Sequence, residues 1–139
     1  PQGNLFASGY EEDSNVEVEF INYLEKAKGV KGWFKNGAEE RKYFAVPYIN
    51  ESGDLAAFYV DFVIKFNDGK IGLFDTKSGM TAKDAGPRAE GLQKYIKKNK
   101  GKKIWGGIVI ESSGSWRIND NEKYDYDLNN LSKWDVLEI

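Results

Sequence analysis

A single α/β domain is the fold class this sequence predicts, and three observations predict it. At 139 residues, with 40% hydrophobic and 30% charged side chains, the chain has the length and composition of one unit with a real core. Two segments carry apolar residues at helical spacing, one with Val16, Phe20 and Leu24, the other with Ala89, Leu92 and Ile96. Between and after them lie apolar stretches of strand character, and no repeat or linker divides them. Helices and strands together make one α/β unit in the order helix-strand-strand-strand-helix-strand.

The elements follow in chain order. Residues 1–14, PQGNLFASGYEEDS, read as a loose lead-in to a helix start, where Ser14 or Asn15 can cap and nearby acids suit the helix dipole. NVEVEFINYLEKA forms the first helix, with Ile21 beside its stripe, and Gly29 ends it. GVKGWFKNG is a short strand or turn, and RKYFAVPYI is a strand with Pro47 near an edge or bulge. After the loop NESGD, residues 58–66 and 70–77 are two strands around a turn. SGMTAKDAGP is a loop, and Pro87 suits a first helical position. The second helix has Ala89, Leu92, Tyr95 and Ile96 as its apolar stripe. KKIWGGIVIE is a continuous apolar strand of the kind buried on both faces. SWRIND adds a short strand, and the tail NLSKWDVLEI carries no assignable pattern. Trp33, Tyr43, Trp105 and Trp116 are expected to pack in core and sheet rather than stack on bases. The chain opens on Pro1 without a methionine, which predicts that residues 1–139 are one domain excised from a longer protein.

Composition narrows the chemistry. The chain has no cysteine and no histidine, so disulfides, thiolate zinc sites, cysteine nucleophiles, Ser-His-Asp triads and HExxH sites are excluded. Catalysis here must use carboxylates, lysine, arginine, tyrosine, hydroxyls or a hard metal. No apolar run is long enough to span a bilayer and no signal peptide is visible, so a cytoplasmic location is the expectation. A net charge of -2 does not announce a nucleic-acid binder, but residues 94–103, KYIKKNKGKK, hold six lysines and no acid. Such a run is a solvated helix end or an edge that contacts phosphates.

DFVIKFNDGKIGLFDTKSG, residues 61–79, places an aspartate in each of two apolar strands, with a lysine two residues after the second. Strand side chains alternate, so Asp61, Val63 and Lys65 share one face, and Leu73, Asp75 and Lys77 share one face. Whether the two faces coincide depends on the turn. A two-residue Asp68-Gly69 turn would set Asp61 opposite Thr76, with the aspartates on opposite sides. A three-residue loop, Asn67-Asp68-Gly69, would set Asp61 opposite Asp75, and Gly69 suits the left-handed last position of such a loop. The second register is the expectation. It brings like charges within about 5 Å at Cβ, which destabilises a sheet. A hard divalent cation bound by oxygen ligands turns that liability into a site. The bland counterpart is a salt-bridged hairpin, with Asp75 on Lys77 or another lysine and Asp61 at a solvated strand end.

These residues stand in a longer series. Glu17 lies in VEVEF, followed by WFKN at 33–36, FAVPY at 44–48, YVDF at 59–62 and DTKS at 75–78. The series resembles the PD-(D/E)XK nuclease superfamily, and within it the endonuclease domain at the C-terminus of type III restriction enzymes and related DEAD/DEAH-type helicases. In that family a helix with a glutamate precedes W-x-KN, F-x-[IV]-P-Y, Y-x-PDF and [ED]-T-K-[GS] segments. Val60 stands where the family usually has proline, and Asp75 where glutamate is commoner, which shortens the reach by one methylene.

The resemblance implies a restriction-endonuclease-like fold, a three-layer core with a central mixed sheet of about four to five strands and helices on both faces, and cleavage of DNA. It implies that Asp61 and Asp75 bind Mg²⁺ or Mn²⁺, helped by the backbone carbonyl of Thr76, while Glu17 reaches the metal from the helix directly or through water. Glu17 borders the core face of its helix and Glu19 points further out, which favours Glu17. Lys77 would orient the attacking water or stabilise transition-state charge. Lys83, Arg88 and Gln93 would touch phosphates or the reacting water, or are ordinary polar residues of a helix surface; Lys97 and Lys98 would contact the DNA backbone. The partners implied are DNA, an ATP-dependent helicase or translocase region in the same polypeptide, and a methyltransferase subunit. The chain carries no Walker motif, so a motor would lie elsewhere. Two other classes compete: a non-catalytic nucleic-acid- or protein-binding module on the same fold, and a small metal-binding regulatory domain. Intact Asp61, Asp75 and Lys77 disfavour the first, and the second leaves the lysine unexplained.

Overall fold

Helical periodicity at the start of the chain produces α1 (Glu11–Lys26). A computed structural model describes residues 11–36, 44–127, 131 and 133–139. The helix is already formed at Ser14 and Asn15, so neither is its cap; the acids at positions 11–13 are compatible with helix and its positive end. The expected lead-in at 1–10 and the packing role of Tyr43 lie outside the described residues.

After α1 come β1 (Val30–Lys35), β2 (Val46–Ile49), β3 (Leu55–Phe58), β4 (Phe62–Phe66) and β5 (Ile71–Thr76). Then follow α2 (Gly79–Ala82), α3 (Gly86–Lys98), a short 3₁₀ turn, β6 (Ile104–Ser112), β7 (Ser115–Asn119) and β8 (Asp135–Val136). The fold is α/β. Its main sheet is mixed and has six strands in the order β1-β4-β5-β6-β7-β8, rather than four to five, because β7 and β8 extend the far edge. Among the described residues only β5 and β6 run parallel, with α2 and α3 in the connection between them.

β2 and β3 form a separate antiparallel pair. The stretch 58–66 is therefore not one strand: β3 ends at Phe58, β4 begins at Phe62, and residues 59–61 carry the chain from the small sheet to the large one. Pro47 sits in this small sheet, where a missing donor is cheapest.

The sheet's two faces bury different cores. Phe62, Ile64, Phe66 and Phe74 pack with Phe20 and Leu24 of α1 and with Val109, Trp116 and Ile118. Rings meet edge-on there, with Phe20 and Trp116 centroids 4.9 Å apart and Phe74 and Trp105 5.0 Å apart. Trp33 packs against Phe62, and its Nε1 donates to Glu25 at 3.0 Å. On the other face Leu73, Ile108 and Ile110 join Ala89 and Leu92 of α3, Val46 and Phe58 of the small sheet, and Trp134. Among the described residues no helix is long and apolar enough to cross a membrane.

Close approach of α3 to β2 depends on Gly91. A Cβ added there would lie 2.4 Å from the Tyr48 Cβ and 3.3 Å from its Cα, so backbone would have to move. Gly91→Ala should therefore destabilise the chain by about 1–3 kcal/mol despite alanine's better helix propensity. Urea unfolding measures this, and an unchanged or higher midpoint would show that the contact is not tight.

Candidate active site

The turn between β4 and β5 has three residues. Phe66 N–H donates to Lys70 O at 2.9 Å and Gly69 N–H to Phe66 O at 3.0 Å, while Gly69 takes φ of 91°. Pairing then runs from Lys65 opposite Ile71 to Phe62 opposite Phe74. One step further, Asp61 faces Asp75, and both side chains fall on the α3 side of the sheet.

At this rung side chains replace the backbone ladder. Asp61 N–H donates to Asp75 Oδ1 at 2.9 Å. Thr76 donates twice to Asp61 Oδ2, from its N–H at 3.0 Å and its hydroxyl at 2.9 Å. Asp61 is further fixed by Asn36, whose N–H donates to the Asp61 carbonyl at 2.7 Å. Asn36 also bonds Phe44 through both ends of its side-chain amide, which ties the WFKN and FAVPY segments to this point.

Each aspartate thus commits one oxygen to the protein. Asp75 is 2% exposed, and its Oδ2 is buried. Lys77 Nζ stands 2.9 Å from that oxygen, a charge-assisted contact that balances the Asp75 charge. A single lysine balances one carboxylate and leaves the charge of the second to be met. Lys77 is held from behind by its N–H, which donates to Val109 O at 3.0 Å.

Electrostatics follow from this crowding. Dense surroundings and the Asp75 charge push the Asp61 carboxyl up to about 7, against the opposing pull of Thr76 and Lys77. Burial alone would lower the Lys77 ammonium; the Asp75 and Asp61 charges outweigh it and hold it above its ordinary value, with Arg88 opposing. Asp61, Asp75, Lys77 and Arg88 line one cleft of about 280 Å³, walled by Ala57, Phe58 and Tyr59 at the end of β3.

This donor set fits a hard divalent ion. Two carboxylates converge on one cleft, and Mg²⁺ in particular is often held by one or two carboxylates with water completing its shell. Among the described residues no third Asp, Glu, His or Cys joins them. The YagJ family model matches residues 7–125. The chain belongs to the YagJ family. No curated protein and no solved structure matches it.

In this YagJ-family chain the other expected site residues are distributed unevenly. Glu17 stands on α1, with its carboxylate 3.2 Å from Lys35 Nζ. Lys35 lies opposite Phe62, one residue from Asp61, so Glu17 is near the same end of the sheet but is not gathered into an acid cluster. Arg88 reaches the cleft. Gln93 does not line it: the side chain is buried, and its Nε2 donates to Gly106 O at 2.9 Å, tying α3 to β6. Lys83 is exposed at the end of α2. Lys97 and Lys98 are exposed at the far end of α3, with Lys97 3.2 Å from Glu122. The sequence reading missed the donor role of Thr76, for which a hydroxyl beside an acid was the only signal. It also missed the clamp made by Asn36, which has no local signature.

Asp61 titrates with a definite sign. Between about pH 4, its unfolded value, and about 7, the native carboxyl holds a proton that the unfolded chain has lost. Its contribution to stability is therefore complete below about pH 4 and is lost as pH rises through about 7. Thr76 and the charges of Asp75, Lys77 and Arg88 surround it. Denaturant unfolding in metal-free buffer should show a loss on the order of 2–4 kcal/mol across this window, and Asp61→Asn should remove most of the slope. A parent protein whose stability is flat there would contradict the assignment.

Proposed function

We propose that this chain is a Mg²⁺- or Mn²⁺-dependent nuclease domain that hydrolyses DNA phosphodiester bonds with Asp61, Asp75 and Lys77. The observation that carries the reading is the convergence of Asp61, Asp75 and Lys77 on one cleft, the two aspartates facing each other across the β4–β5 pair. Lys77 can balance one of the two carboxylates, and a bound cation accounts for the second. The finer fold reading, restriction-endonuclease-like, is supported by the order α1, β1, β4, β5, α3, β6 along the main sheet and by the motif series Glu17, WFKN, FAVPY, YVDF and DTKS. On this reading the domain works beside an ATP-driven motor and a methyltransferase supplied outside these residues.

The bound ion would supply Lewis-acid polarisation of a phosphoryl oxygen and a water that deprotonates near neutrality. Asp61 and Asp75 would hold it, with the Thr76 carbonyl as the third protein oxygen. Thr76 and Asn36 keep Asp61 from rotating away when its partner is neutralised. Lys77 has two roles in succession. Without a cation it balances Asp75; with cation and substrate present its ammonium is free to donate to the attacking water or to the phosphate oxygen that gains charge. Arg88, at the cleft wall, steadies the incoming phosphate. Water releases a proton to solvent as it attacks phosphorus, the bond to the leaving sugar oxygen breaks, and that oxygen takes a proton from solvent.

Two measurements test this together. Millimolar Mn²⁺ should raise Tm by about 3 °C through preferential binding to the folded state, and Asp75→Asn should abolish the rise. Cleavage of plasmid and single-stranded DNA, at low salt with Mn²⁺, should fall about 10²–10³-fold in Lys77→Ala with little change in DNA binding. Asp61→Asn separates chemistry from folding. It should be inactive yet, in metal-free buffer above pH 7, more stable than the parent, because the repulsion is gone. Undiminished cleavage in Lys77→Ala and Asp75→Asn would end the proposal.

A further inference from the structure

A second concavity adjoins the cleft. It is a groove of about 800 Å³ between α3 and the β2–β3 hairpin. Neighbouring residues line the two: Pro87 the groove and Arg88 the cleft, while β3 gives Leu55 to one and Ala57 to the other. The Arg88 guanidinium sits 5.9 Å from the centre of the Tyr48 ring, at the junction.

The groove has an unusual lining for a surface facing water. Tyr48 and Tyr95 are half-buried in it, and Ile49 and Leu55, paired across the hairpin, are 55% and 75% exposed. The opposite rim is positive. Lys94 and Lys98 are exposed, one helical turn apart, and have no ion-pair partner among the described residues. Nearby acids are engaged elsewhere: Glu90 accepts the Tyr124 N–H at 3.0 Å, and Glu122 pairs with Lys97. In a chain of net charge -2, unpaired cations along one edge of an aromatic groove are a local exception.

We infer that this groove holds a single strand of nucleic acid, its bases against Tyr48 and Tyr95, its phosphates on Lys94 and Lys98, and Arg88 passing the next phosphate to Asp61 and Asp75. The inference deepens the nuclease reading and rests on it for the direction of the strand. A duplex hides its base faces and gains nothing from the tyrosines, whereas an unpaired strand offers both stacking faces and charge. An acidic peptide matches the charge of the rim, but it gives no reason for a groove placed beside the acid pair, with Arg88 between them.

The full chain in EDTA reports binding without cleavage. Fluorescence anisotropy would compare a labelled oligothymidylate of about 12 nucleotides with a duplex of the same length and with polyglutamate of like charge. The single strand should bind about tenfold more tightly than either competitor. Combined Lys94→Glu and Lys98→Glu should weaken it about tenfold and flatten its salt dependence, and Leu55→Glu should also weaken it. All three positions are exposed, so the variants should fold. Duplex or polyglutamate bound as tightly as the single strand, or affinity unchanged in the lysine variant, would overturn the inference. If plasmid is cut in an Asp75-dependent way but the oligothymidylate is not bound, the groove inference falls and the nuclease reading stands. If the strand binds with these dependences and nothing is cut, the strand site stands and the nuclease reading falls.

Discussion

The register between β4 and β5 is the constraint on which the site depends. A three-residue turn puts Asp61 opposite Asp75, and every polar contact at that rung follows from the pairing. Two facing carboxylates repel, so something must hold them. The force comes from the sheet itself. β5 lies between β4 and β6, and Leu73 and Phe74 bury it in opposite cores, so repulsion at its end cannot peel it away cheaply. The polar rung is an extension of an apolar scaffold, and side-chain bonds from Thr76 and Asp75 take over where the backbone ladder stops.

The sheet also divides labour between its faces. On the α1 side, aromatic rings interlock in an apolar core. On the α3 side, the small β2–β3 sheet stands off the main one, which opens the cleft and the adjoining groove. Glu17 belongs to the first side by its helix, and its pairing with Lys35 satisfies it there. The two aspartates, Lys77 and Arg88 belong to the second.

Much of this was legible in the sequence, for reasons that can be named. Gly69 in a left-handed position indicates a three-residue turn, and side-chain alternation then fixes which residues face each other. Helical stripes identified α1 and α3 because each buries one side only. The break between β3 and β4 was hidden, since Tyr59-Val60-Asp61 continues the apolar alternation even as the chain changes sheets. β8 was hidden because two exposed residues carry no pattern. Gln93 was misleading in another way. A polar side chain on a helix is read as solvent-facing, and only the position of Gly106 on a strand thirteen residues later draws it inward.

The turn at residues 67–69 is exposed, polar and at the tip of a hairpin, where chains ordinarily accept inserted or deleted residues with little effect. Here one residue more or fewer would rotate the β5 side chains to the opposite face relative to β4. The hairpin could still close and the core could partly repack, yet Asp61 and Asp75 would no longer see each other. The number of residues in that loop is thus as much a part of the site as the acids are, although no atom of the loop touches them. A family alignment that scored only residue identity would miss it, and one that scored gaps would find its sharpest signal in an exposed turn far from the acids.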